Sequence, residues 1–141
     1  MSKQLVVNCI RTPDGTLLQS RHVHDYTTYV DKNGYTYMVD GGRDYLRRNI
    51  VDEAPAEELS LTVDDPHEVI RERFDWGTRG KDGKSPLTFK LLKDLDNDHI
   101  MAILDTQTHI ANWTRKLFID ELSYRNIQYA SVYTSDVKEN A

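Results

Sequence analysis

The stretch Thr27-Thr28-Tyr29-Val30-Asp31-Lys32-Asn33-Gly34-Tyr35-Thr36-Tyr37-Met38-Val39 decides the fold class. Four turn-forming residues, Asp31 to Gly34, separate two runs of β-branched and aromatic residues. Asn-Gly accepts the positive φ of a tight hairpin turn, and the flanking side chains fit a pleated surface. The pattern predicts an antiparallel hairpin over 27–39, ended by Gly41-Gly42. Towards the N-terminus a second hairpin is signalled. Leu5 to Ile10 and Thr16 to Ser20 flank Thr12-Pro13-Asp14-Gly15, where proline presets φ and glycine takes the left-handed position. On the other side, Arg43 to Ile50 fits a short strand or one helical turn. Val51 to Leu59 reads as an acidic connector.

Helical signals follow. Asp65-Pro66-His67-Glu68 has the residues of a capped helix start, with Val69, Ile70 and Phe74 as the expected inner face. A loop with three glycines, Trp76 to Pro86, then leads into a strand over 87–92. Asp96-Asn97-Asp98 is placed to cap a helix whose Ile100, Ile103, Leu104 and Gln107 recur at i, i+3, i+4 and i+7. Asn112 is placed to cap a last helix from Trp113 to about Tyr129, with Leu117, Phe118, Leu122 and Tyr124 on or near one face. The short connection around His109-Ile110 makes the two an antiparallel pair. The fold class is therefore α+β, with N-terminal antiparallel β-hairpins and sheet followed by a C-terminal antiparallel helix pair. The expected organisation is a single domain over 1–141: a β-rich part to about 95, a helical part over about 96–129, and a polar tail from 130.

Composition narrows the function classes. With 38% hydrophobic and 29% charged residues, the chain is too apolar for a disordered protein. No run approaches the roughly 18 apolar residues of a membrane span, and Met1 to Leu5 has no secretory apolar stretch, so a cytosolic protein without membrane contact is expected. A lone Cys9 excludes a disulfide framework within the chain. The net charge of −5 argues against DNA or RNA as partner. Charge is uneven, however. Seven acids and no Lys or Arg lie between Ile50 and Ile70, whereas Arg71 to Lys93 holds seven bases against three acids. A local basic segment on an acidic chain suits a small anion, and equally suits a solvated loop beside an acidic linker.

Three features could carry chemistry. Arg21-His22-Val23-His24-Asp25 puts two histidines at i and i+2, which on a strand would share a face. A metal would need further ligands from Cys9, Asp25 or His99. The other readings are a polar network, or Arg21 meeting a phosphate. The glycine-rich loop carries Arg79, Lys81 and Lys84 but lacks the spacing of a P-loop, so nucleotide hydrolysis of that type is not indicated. Aromatics stand beside bases: Phe74 and Trp76 near Arg79, and Trp113 two residues from Arg115. Such pairs can stack a nucleobase and clamp phosphate, or simply pack in the core. No serine lies in a nucleophile elbow, Cys9 reads as a buried thiol, and Asp64-Asp65, Asp96 and Asp98 read as helix caps. No catalytic residue, metal or cofactor is assigned.

The segments Ile10-Arg11-Thr12-Pro13-Asp14-Gly15, Ser20 to Tyr26, Val39-Asp40-Gly41-Gly42, Asp44-Tyr45-Leu46-Arg47-Arg48, Trp76 to Lys81 and Asp98-His99-Ile100 together resemble small bacteriophage proteins. In size and order of elements the chain resembles the first type of Thoeris anti-defence protein. That resemblance implies a β-rich core followed by two helices, assembly as a homodimer or higher homo-oligomer, and a place in the cytoplasm of an infected bacterium. It further implies a sponge, which binds cyclic ADP-ribose isomers made by bacterial immune TIR proteins and holds them uncleaved. Some members are said also to hold cyclic oligonucleotides. The chemistry of the residues, rather than the family, sets the expected roles. Trp76 or Phe74 stacks adenine, Arg79, Arg115 and Arg21 contact phosphates with Lys81 and Trp113 nearby, and loop 77–84 closes over the ligand. Two alternatives stand beside it: an interaction module that blocks a host protein, and a metal-dependent phosphodiesterase built on His22 and His24.

Overall fold

The computed structural model describes residues 4–80 and 83–129. Lys81, one of the expected ligand contacts, lies outside them, as does the tail from 130. The chain divides into two compact units, Met1–Pro66 and His67–Ala141. Every strand pair among the described residues is antiparallel, and two longer helices follow the strands, as expected for the α+β class.

Among the described residues, the first unit holds eight short strands. Both predicted hairpins form. β2 (Cys9–Arg11) pairs with β3 (Leu17–Gln19), and Gly15 takes φ +92° in the turn between them. Strands β4 (Thr27–Val30) and β5 (Thr36–Asp40) pair with Tyr29 opposite Tyr37. There the Asp31 carboxylate accepts the N–H groups of Asn33 and Tyr35, both at 2.9 Å, which ties the turn locally. The side chain of Asp14 does the same for the first turn, accepting from the hydroxyls of Thr12 and Tyr29. These two donors, followed by Thr16, hold its carboxyl well below the usual carboxylate range.

Long-range pairing sets the rest. Leu5 to Ile10 is buried throughout, with β1 (Leu5–Val7) paired to β8 (Leu61–Thr62). Asn8 breaks this run. Its amide donates to the carbonyls of Asp40 and Gly42 at 3.0 and 2.8 Å, pinning the end of β5. Beyond Asn8, β2 takes a second partner, β7 (Glu57–Glu58). The expected acidic connector is thus partly a sheet edge. The acids are tolerated there because Arg48 grips Glu58 through two bonds of 2.9 and 2.8 Å and Arg11 meets Glu57 at 3.3 Å. Arg48 itself sits on β6 (Arg47–Arg48), which resolves the 43–50 ambiguity in favour of a strand. Ile10, Leu18, Tyr37 and Val39 form one core of this unit.

The Asp40-Gly41-Gly42 corner is its tightest point. Gly42 has φ +56°, and a Cβ there would lie 2.1 Å from the backbone carbonyl carbon of His22. Its N–H donates to the buried Ser20 hydroxyl at 2.8 Å. The segment 21–25 is a turn rather than a strand, closed by the Asp25 N–H on the His22 carbonyl at 2.8 Å. The strand geometry that would have aligned His22 and His24 is therefore absent.

In the second unit, α1 (His67–Ile70) is a single turn. Ile70 and Phe74 are buried, but Val69 is exposed. Asp65 does not cap it; its carboxylate accepts the Thr62 N–H at 2.7 Å instead. A hairpin of β9 (Asp75–Thr78) and β10 (Thr88–Leu91) leads through a 3-10 turn, Leu92–Asp94, into α2 (Asn97–Thr106) and α3 (Asn112–Tyr124). The core faces are Ile100, Ile103 and Leu104 on α2, with Leu117, Phe118 and Leu122 on α3. Tyr124 is exposed, and Asn126 at φ +61° ends α3 five residues earlier than the pattern predicts. Arg115 near the start of α3 reaches Leu104 and Gln107 at the end of α2, while Arg125 reaches Asn97 at its start. The helices are antiparallel.

Candidate ligand groove between the β9–β10 hairpin and α2

Register places the groove's first wall. Trp76 lies opposite Lys90 and Thr78 opposite Thr88, so these four share one face of the two-stranded sheet. That face lines a groove of ≈ 1090 Å³, whose other wall is α2 from Asp96 to Gln107. The volume lies just above the roughly 300–1,000 Å³ usual for small-molecule sites. Arg79 lines it where the hairpin loop begins, and His99 lines it from the first turn of α2. Trp76 is half-buried, with its ring edge-on to Phe118 at 5.1 Å and 83°, so the indole is braced from behind.

The expected site residues separate. Trp76 and Arg79 come together in the groove; Phe74, Trp113 and Arg115 do not line it. Phe74 has no exposed surface and packs edge-on to Trp113 at 6.1 Å and Phe118 at 6.4 Å, leaving no face for a base. Trp113 is half-buried in that same cluster. One Nη of Arg115 donates to the carbonyls of Leu104 and Gln107 at 3.1 and 3.4 Å, satisfying orphan acceptors at the end of α2. Arg21 belongs to the first unit, where its backbone N–H donates to Asp25 at 2.9 Å.

Lys90, Asp96, Asp98 and His99 are groove residues that pattern reading did not assign as ligand contacts. Lys90 was not legible because its partner across the sheet depends on the length and path of loop 79–87. Asp96 and Asp98 read as caps, yet Asp96 makes no side-chain cap bond. Among the described residues, the side chains of Arg79, Lys90, Asp96 and Asp98 have no hydrogen-bond or ion-pair partner. No group of three or more His, Cys, Asp or Glu among them is arranged to hold a metal.

A second polar centre lies in the same unit and is closed. Glu121 has no exposed surface. Arg71 grips it with two bonds of 2.9 and 2.8 Å, Arg125 donates at 2.6 Å, and His67 Nε2 lies 2.9 Å away. Burial pushes the carboxyl up, but the bonds from Arg71, Arg125 and His67 together outweigh it and leave the group below its ordinary value. Arg125 also donates to the carbonyls of Leu92, Lys93 and Leu95, so the node ties α1, α3 and the 3-10 turn together. Within the node, the Nδ1 of His67 is buried and has no hydrogen-bond partner.

Comparison with protein-family models, curated proteins and solved structures finds no match for this chain. No helix among the described residues is long and apolar enough to cross a membrane.

Proposed function

We propose that the protein binds a cyclic nucleotide signal of the cyclic ADP-ribose class in the hairpin–α2 groove and sequesters it uncleaved. One observation carries the reading: a braced, half-exposed indole and two cations without partners share a single groove of ligand size. Trp76 offers the base a stacking surface, and Arg79 and Lys90 offer charge to its phosphates. Resemblance in size and order of elements to the first type of Thoeris anti-defence protein supports the choice of ligand and of retention over turnover. A homo-oligomer acting in the cytoplasm of an infected bacterium belongs to the same proposal.

Calorimetric titration with cyclic ADP-ribose isomers and cyclic oligonucleotides, followed by heating and chromatography of the released ligand, tests it. The expected result is tight binding with intact ligand recovered. Altered ligand would mean an enzyme, and no binding to any of them would remove the nucleotide reading. Arg79→Ala should weaken binding about tenfold or more while the far-ultraviolet circular dichroism stays unchanged, because the side chain is exposed and supports no element.

A docking module is the second reading. On the hairpin face away from the groove, Phe89 and Leu87 are 44% and 50% exposed beside Gly77. Self-association or host-protein capture abolished by Phe89→Ser, with no nucleotide affinity, would favour it.

A further inference from the structure

The groove's two walls meet at one corner. β10 ends at Leu91 and α2 starts at Asn97, so the 3-10 turn Leu92–Asp94 with Leu95 and Asp96 is the whole connection between hairpin wall and helix wall. One side chain that does not line the groove holds both sides of that corner. On the hairpin side, Nη2 of Arg125 donates to the carbonyls of Leu92 and Lys93 at 3.0 and 3.2 Å. On the helix side, its Nη1 donates to the Leu95 carbonyl and to Asn97 Oδ1, both at 2.7 Å. Its Nε is held in turn by Glu121 Oε2 at 2.6 Å. Five acceptors therefore meet the five N–H donors of one planar guanidinium.

We infer that Arg125 is a positioning residue for the groove, a clamp that fixes how far the hairpin wall stands from α2. The inference rests on the nucleotide reading above. Lys90, which lies opposite Trp76, is two residues before Leu92, and His99 is two residues after Asn97. Any shift of the corner thus moves the stacking and cationic wall relative to α2, and a ligand that touches both walls loses contacts on one of them. Binding to walls already held in place avoids the cost of ordering them, which is where such a clamp contributes to affinity. A lysine cannot substitute, because a point charge on a flexible stem does not reach both sides of the corner at once. The far end of α2 is secured separately, by Arg115 on the carbonyls of Leu104 and Gln107. Loss of the clamp therefore frees the corner rather than the helix pair.

Arg125→Lys tests the clamp, with Leu117→Ala as its control. Leu117 is buried on α3 about two turns before Arg125, so its truncation weakens the unit without touching the corner. Wild type and both variants are titrated with a cyclic ADP-ribose isomer at a temperature where far-ultraviolet circular dichroism shows each of them folded. Arg125→Lys is expected to bind about tenfold more weakly, with faster amide exchange at Leu92 and Leu95. Leu117→Ala should melt earlier yet keep its affinity within about twofold of wild type. A merely structural role for Arg125 would lower its melting temperature and leave the affinity of the folded protein alone. Wild-type affinity in Arg125→Lys, or an equal loss in Leu117→Ala, overturns the inference and leaves the nucleotide reading standing. If Arg125→Lys does not fold, Glu121→Gln decides: it keeps the shape of the carboxylate but weakens the hold on Nε, so affinity should fall about threefold, and an unchanged affinity overturns the clamp. Failure of wild type to bind any cyclic ADP-ribose isomer overturns the nucleotide reading and the clamp's role in it.

Discussion

Glu121→Ala is expected to cost the second unit about 3–5 kcal/mol, the usual penalty for removing one partner of a buried ion pair. Glu121 has no exposed surface, and its loss leaves Arg71 and Arg125 facing each other across the gap with His67 beside them. The mutual repulsion also frees Arg125 from the geometry in which it holds the carbonyls of Leu92, Lys93 and Leu95. Both tryptophans of the chain, Trp76 and Trp113, lie in this unit, so thermal unfolding followed by tryptophan fluorescence reads the loss directly. A melting curve close to that of wild type would show that the arginines are satisfied without the carboxylate. Acid makes the same point with a defined sign. The folded carboxyl lies below its ordinary value of 4.5, so its contribution is complete above that pH and disappears as pH falls through the folded value. Glu121→Gln should therefore show a shallower loss of stability below about pH 4.5 than wild type.

The second large effect belongs to the Gly41-Gly42 corner. Gly42→Ala must accept a left-handed φ of +56° and also place a methyl 2.1 Å from the His22 carbonyl carbon and 2.4 Å from its Cα. Those neighbours are backbone, so relief requires moving the turn that Ser20 and Asp25 hold closed. About 1–2 kcal/mol for the backbone conformation and a further 1–3 kcal/mol for the crowding are expected. Gly34→Ala is the control, because φ is +86° but nothing lies within 4 Å. It should lose only the conformational part. Near-ultraviolet dichroism of the tyrosines and amide exchange at Gly42 and Ser20 report the difference. Equal melting temperatures for the two variants would mean that the corner gives way easily.

Expectations held where the determining interaction is local. Asn33-Gly34 and Pro13-Asp14-Gly15 set their turns with side chains no more than four residues away, so both hairpins were legible. The apolar rows of α2 and α3 were legible because a helix buries every third or fourth residue whatever it packs against. The candidate site was half legible. Trp76 and Arg79 share a groove as aromatic-plus-base spacing expected, while Phe74 and Arg115 have the same chemistry and different employment. Adjacency of an aromatic to a base does not say which side of a strand or helix faces the core.

Sequence alone therefore determined the α+β class, the turn positions and the periodic faces, since each follows from interactions within a few residues. Tertiary structure decided that Glu57-Glu58 joins a sheet, that Glu121 is buried, and that Lys90 stands beside Trp76 opposite Asp96 and Asp98. Those outcomes depend on partners up to 54 residues away, as between His67 and Glu121. A carboxylate reads the same in a sequence whether water or two guanidinium groups will surround it, and only the packed chain supplies the surroundings.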